Sequence, residues 1–356
     1  MIKELSVTNF RCFRELHVPD LRRVNVIVGK NSSGKSALLE ALFLCSAPAA
    51  PNLVFQLRGL RNLGTQIQIA GDAAGYRALW EDLFHWFNEN TTISIEAIGS
   101  EGDSRSWRAS YSDVGGQLLP IGKQAVNPSI LPQIVFEWKR NNEAPVLTRP
   151  VITPNGLFVE GISTVGHFPT ILFSGKSQDS PEEHARRFSE LSKRDEIAPV
   201  VKAMRVEFPF LESLSLEYFS NTPAVYASLT AGGLPRKIPA GLVSEGFNKL
   251  LGILVGIATY RRGLVLIDQI EDGFYYRRYE SIWRTLHTFA MANACQIFAT
   301  THSLECLRAM ISVLRDNTDD FCLLRAERTQ DESSSRISRF EGEQLLSALL
   351  KDGEIR

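Results

Sequence analysis

The chain has 356 residues, with 39 lysines and arginines against 40 aspartates and glutamates and a formal net charge of −1. Hydrophobic residues make up 44% and charged residues 22%, which excludes a disordered chain, a collagen-like chain and a small disulfide scaffold. The charges cancel almost completely, so nothing marks an electrostatic nucleic-acid binder, although a local basic face fits inside a neutral total.

The length suits two domains, or one large domain with an insertion. Leu5-Ser6-Val7 alternates as a strand does, and Val24–Val28 is a β-branched run of the fully buried kind. Lys35–Cys45 is apolar on most faces, which predicts a buried helix ended by Pro48 and Pro51. From about 52 to 175 the pattern shifts to short alternating runs such as Thr92–Glu96 and Gln133–Trp138. Turn residues separate these runs at Gly115-Gly116, Asn141-Asn142 and Asn155-Gly156. The expectation is an antiparallel β region with a helical piece near Tyr76–Glu89. Residues 181–206 are charged and helix-forming, with Ser180 as N-cap and Pro181 in the first turn. They suit a helix pair packed on the body, or a partner-binding or DNA-facing arm. After 240 the chain alternates: helix 245–258, strand 263–267, helix 277–292, strand 295–300, helix 303–315, strand 320–325. That pattern predicts a mostly parallel sheet, completed by the first segment, with 52–240 inserted between.

Five cysteines are scattered (Cys12, Cys45, Cys295, Cys306 and Cys322) with no C-x-x-C pair, which fits a reducing cytoplasm better than disulfides or zinc. The start MIKELSVTNFRCF lacks the apolar stretch of a signal peptide. Leu250–Ala258 is far shorter than the roughly 20 apolar residues that span a bilayer. A cytoplasmic protein without membrane contact is expected.

The strongest motif is Gly29-Lys30-Asn31-Ser32-Ser33-Gly34-Lys35-Ser36, a complete G-x-x-x-x-G-K-[ST] between a strand and a helix. Gly29 and Gly34 let the loop wrap with its N–H groups, those of Asn31 and Ser33 included, aimed at phosphate oxygens. The helix start adds partial positive charge. Lys35 reaches the β- and γ-phosphates, and Ser36 offers its hydroxyl to Mg²⁺. Leu264–Ile267 is an apolar strand ending in Asp268, which would hold Mg²⁺ through water beside Ser36. Val243-Ser244-Glu245-Gly246, 24 residues before Asp268, opens an apolar helix. Ser244 suits either a simple N-cap or a second phosphate cradle with Gly246. His302 closes a strand 34 residues after Asp268, where an imidazole can donate to a γ-phosphate.

In this order the four motifs resemble those of ABC-type ATPases. The nearer resemblance is to the prokaryotic RecF/SMC/OLD-like branch, whose AAA-family members occur in anti-phage defence. Asn9-Phe10-Arg11-Cys12-Phe13 is similar to that branch's N-F-R-x-F start, and Ile267–Gly273 to its I-D-E-I-E-N-G string. Ala299–Ser303 and the tail Gly353–Arg356 also look like it. The resemblance covers 1–45 and 240–356 well and says little about 52–240.

The resemblance implies an α/β fold: a P-loop NTPase with an ABC-type head, a mostly parallel sheet, an antiparallel β subdomain and a short helical insertion. Residues 1–50 and 240–356 would form the nucleotide-binding core, 51–175 a β-rich insert and 176–239 a helical subdomain. It further implies ATP and Mg²⁺, and a homodimer or higher even oligomer. Ser244 and Gly246 of one subunit would reach the γ-phosphate held by the other, and Arg11 would lie near the nucleotide. The family's Q-loop glutamine cannot be placed. Its catalytic carboxylate stands where this chain has Gln269, and an amide holds a water without accepting its proton at neutral pH. Hydrolysis should therefore be slow, whether Gln269 is an introduced Glu→Gln trap or the residue of a natural ATP-sensing switch. The expected role is sensor or regulator of a separate nuclease or toxin subunit. The alternatives are a RecF-like clamp that contacts DNA directly, or an ATP-assembled scaffold with little hydrolysis.

Overall fold

The computed structural model describes residues 1–48, 50–61, 73–116, 131–153, 156–160, 168–174, 181–219, 221–230, 236–342 and 344–345. The chain begins with β1 (Ile2–Phe10), β2 (Phe13–Val18) and β3 (Val24–Val28), then α1 (Lys35–Leu44), α2 (Ala50–Leu60) and α3 (Ala73–Arg77). Strands β4 (Ile93–Gly99), β5 (Ser104–Gly116), β6 (Leu131–Arg140), β7 (Val146–Thr153), β8 (Gly156–Glu160) and β9 (Thr170–Phe173) follow. Next come α4 (Pro181–Lys193), α5 (Ile197–Glu207), β10 (Leu211–Phe219), β11 (Thr222–Leu229) and β12 (Arg236–Pro239). The last part runs α6 (Glu245–Thr259), β13 (Leu264–Ile267), α7 (Tyr279–Ala292), β14 (Gln296–Thr300), α8 (Leu304–Asp316), β15 (Phe321–Arg328) and β16 (Ser335–Phe340).

Among the described residues these strands form three sheets. The central one has the order β16-β15-β3-β14-β13-β9, parallel except for β16. Its strands bury both faces, so their apolar residues alternate between two cores. Val24, Val26, Val28, Val265, Ile267 and Ile297 face the core shared with α4–α8. Ile27, Leu264, Leu266, Phe298 and Leu324 face the core shared with α1 and an antiparallel sheet ordered β2-β1-β4-β5-β6-β7-β8. Helix α1 is wedged between the two sheets, touching β4, β13 and β14, which is why it is apolar on most faces. No helix among the described residues is long and apolar enough to cross a membrane.

Several expectations are corrected. Leu5–Val7 lies in β1 and joins the antiparallel sheet, not the parallel one. Conversely β9, from the middle of the chain, adds a parallel edge strand beside β13. Pro51 lies in the first turn of α2 rather than ending α1, the position where a missing N–H costs least. Gly115-Gly116 continues β5 instead of turning it. The segment 176–239 is helical only in part: β10–β12 form the third, antiparallel sheet. Residues 181–206 pack on the body, with Phe188, Leu191, Val200 and Met204 buried in the core under α6. Ser180, Asn155 and Gly353–Arg356 lie outside the described residues.

One buried amide ties the two large sheets together. Gln296, at the start of β14, accepts from Ile2 N and donates to Ile2 O, each at 2.8 Å, and donates to Arg22 O at 2.8 Å. Gln296→Leu strands these backbone groups in an apolar interior. It should cost about 2–4 kcal/mol in urea unfolding. A loss under about 0.5 kcal/mol, the scale of a neutral surface change, would contradict the assignment.

Candidate functional site

The loop after β3 takes its shape from three residues in the left-handed region: Gly29 at φ 141°, Ser32 at 61° and Gly34 at 105°. A side chain is excluded at both glycines. A Cβ on Gly29 would lie 2.1 Å from Ala326 O, and one on Gly34 2.8 Å from Cys12 Sγ. Gly34 caps α1 without a side-chain hydrogen bond, so the N–H groups of the first turn are left for an anion. Lys35 Nζ donates to its own loop, to Gly29 O and Lys30 O at 2.8 Å each. Burial lowers its pKa, against the pull of Asp268 and Glu271.

The other half of the site comes from the C-terminal ends of β13 and β14. Ser36 Oγ donates to Asp268 Oδ2 at 3.0 Å, and Thr300 Oγ1 donates to Asp268 Oδ1 at 2.5 Å. A hydroxyl and a carboxylate so paired could hold a Mg²⁺ ion between them and a triphosphate. Gln269 is left-handed, at φ 55°, and its N–H donates to Thr300 Oγ1 at 2.8 Å. His302 is exposed, and its N–H donates to Glu271 Oε1 at 2.6 Å. Partial burial and then Lys35 lower the imidazole pKa, so the ring is neutral at pH 7 and keeps one N–H to donate.

A cleft of about 730 Å³ is lined by Arg11, Asn31, Gly34, Lys35, Ser36, Asp268, Gln269 and His302, among others. Four of the expected site residues do not line it: Gly29, Ser33, Ser244 and Gly246. Ser33 is buried beneath the loop. Ser244 is exposed at the start of α6, where its hydroxyl accepts from Phe247 N at 3.1 Å as an N-cap does. Arg11 reaches the cleft already paired, its Nε 2.6 Å from Glu40 Oε2 and its Nη1 3.3 Å from Asp82 Oδ2.

Sequence reasoning missed Glu40, Arg61 and Arg328, which also line the cleft. Arg61 binds the other oxygen of Glu40 at 2.6 Å, and Arg328 Nε donates to Ser32 O at 3.1 Å. Arg328 had a usable signal: it ends the strand beside β3, and parallel strands deliver their last residues to one edge. Arg61 had none, because its helix falls in a stretch whose pattern suggested strands.

Two expectations follow. Gly29→Ala forces the loop off the Ala326 carbonyl. Binding of a fluorescent ATP analogue should weaken by about 1–3 kcal/mol, roughly 5- to 150-fold, and unchanged affinity would refute the packing argument. By NMR, the His302 ring should titrate below its ordinary 6.5 in the nucleotide-free chain. A depressed histidine pKa favours the folded loop above that value and works against it as pH falls, so a midpoint at or above 6.5 would contradict the geometry.

Comparison with known proteins finds similarity over several parts of the chain. Residues 1–90 match a family described as "AAA ATPase domain", and 149–308 one described as "AAA domain, putative AbiEii toxin, Type IV TA system". A Helicobacter pylori protein named ATP/GTP phosphatase is 21% identical over 368 residues, covering 91% of this chain and 92% of that protein. The DNA replication and repair protein RecF of Clostridium kluyveri is 38% identical over 50 residues, 14% of each chain. Among solved structures, the SMC head domain from Thermotoga maritima superposes with a TM-score of 0.49 at 15% identity, covering 96% of this chain and 99% of that one. A complete phosphate loop faces Asp268 across one cleft, and the two matched segments that flank and include these motifs are similar to AAA-type ATPase domains.

Proposed function

We propose that two copies of this chain close around ATP and that the closed pair regulates a separate effector, a nuclease or toxin, in an anti-phage setting. The observation that carries the pairing is the split site. Ser36, Asp268, Gln269 and His302 share one cleft, whereas Ser244, which is exposed, and Gly246, which is buried, stand outside it at the start of α6. Their surroundings suit a partner surface: Leu242 is 73% exposed, Tyr275 56% and Tyr276 50%. Gly246 abuts Gly273 and Phe274, so both segments belong to one face. The effector reading rests on the toxin description of the family matched by 149–308.

Within each cleft the loop N–H groups and the start of α1 bind the triphosphate, and Lys35 turns from its own carbonyls to the phosphates. Mg²⁺, held by Ser36 and Asp268, would supply charge neutralisation at the phosphates. His302 donates to the terminal phosphate. Gln269 holds the attacking water but cannot take its proton, so the closed pair is long-lived.

Gln269→Glu should raise ATP turnover by roughly 10²-fold or more, the scale of general-base catalysis. The unsubstituted chain should elute as a dimer with ATP and Mg²⁺ and as a monomer without. Equal turnover removes the role of Gln269, and no ATP-dependent change of mass removes the pairing. Salt-sensitive binding of duplex DNA by the isolated chain would move the reading to a direct DNA clamp.

A further inference from the structure

The start of α6 and the loop after Asp268 are fastened to each other within one chain. Lys249, on the first turns of α6, donates from Nζ to Gln269 O at 2.6 Å and to Asp272 O at 3.0 Å. The same ammonium lies 5.7 Å from the centre of the Phe274 ring. Three residues earlier the backbones themselves touch: a Cβ on Gly246 would fall 2.5 Å from Gly273 O. Gly273 is left-handed, at φ 79°, and a Cβ there would meet Glu245 Cγ at 3.0 Å. The loop 269–274 is therefore gripped from α6 at two points.

We propose that Lys249 is a positioning residue for position 269, and that it couples the exposed start of α6 to the geometry of the loop that holds the attacking water. The inference deepens the proposed split site and rests on that reading. Gln269 sits in the left-handed region, which residues with a side chain adopt uncommonly and at some cost. Two side chains supply the constraint: Thr300 Oγ1 takes its N–H and Lys249 takes its C=O. Any shift of α6 on docking a second copy pulls the Gln269 carbonyl directly, because no other residue intervenes. Burial disfavours the charged lysine, and the nearby Asp272, Glu271 and Glu245 act in the opposite direction without cancelling it. A lysine kept in such a place at that cost suits a tether better than a surface charge.

The test compares Lys249→Met, which keeps the stem and removes the donors, with Lys249→Arg, which restores them. Each is made in the parent chain and in Gln269→Glu. Amide exchange over 269–274, read by mass spectrometry, should quicken roughly tenfold in Lys249→Met. In the Gln269→Glu background kcat should fall roughly tenfold, with affinity for a fluorescent ATP analogue held within about threefold. Lys249→Arg should recover most of both. A merely structural lysine would instead lower the melting temperature and affinity together, with no selective loss of kcat. Lys249→Gln, which keeps one donating amide, replaces Lys249→Met if the latter does not fold. Unchanged exchange over 269–274, or unchanged kcat with Lys249→Met, overturns the proposal. Failure of Gln269→Glu to speed turnover counts against the reading of Gln269 instead, and the exchange measurement then decides Lys249 by itself.

Discussion

Strand β3 is held on one edge by β14 and on the other by β15, and the cleft exists only because of that insertion. The pairing Val24↔Ile297 brings the start of the chain into its last third. Because the strands are parallel, their C-terminal ends emerge at one edge of the sheet. The phosphate loop after β3, Asp268 after β13, His302 after β14 and Arg328 at the end of β15 therefore converge without any long side chain having to reach. Ser36 and Asp268, 232 positions apart, touch as a result. Loop-closure entropy grows only slowly with length, so the long insert adds little to the cost of that meeting.

What was legible in the sequence was what the local backbone demands. Gly29 and Gly34 are visible because only glycine tolerates both their dihedral angles and the atoms next to them. Val24–Val28 is visible because a strand covered on both faces has no polar position to spare, apart from Asn25, whose side chain satisfies Arg22 and Ile297 backbone groups. Helix α1 is visible for the same reason, since it is wedged between two sheets.

What was not legible depends on partners far along the chain. The alternation in β1 shows that one face is buried, but not against which sheet. Strand β9 has four residues, Thr170–Phe173, too few to carry a pattern, and its place is set by β13 about ninety residues later. Arg11 could be placed near the nucleotide by resemblance, yet its partners could not. Glu40 lies on a helix that is otherwise apolar beyond Lys35 and Ser36, and Asp82 in a short 3₁₀ turn. The Glu40 carboxylate between Arg11 and Arg61 is an arrangement of three separate segments. No spacing in the chain encodes it.

The same distinction bears on Gln269. Its conformation is fixed through its backbone: the N–H by Thr300, the C=O by Lys249. Neither contact involves the side chain, so glutamate and glutamine would occupy this position in the same way. Glutamine and glutamate are also nearly isosteric. The difference between them is then chemical rather than conformational: whether a proton can be accepted. A carboxylate at 269 would join Asp268, Glu271 and Asp272 in one short stretch of chain. Mutual repulsion would raise its proton affinity, which favours a base, and would burden the nucleotide-free loop with a fourth negative charge. The amide removes both effects at once. On the proposed reading, a chain with Gln269 would keep the loop's architecture, carry less electrostatic strain before ATP arrives, and lack the group that would end the ATP-bound state quickly.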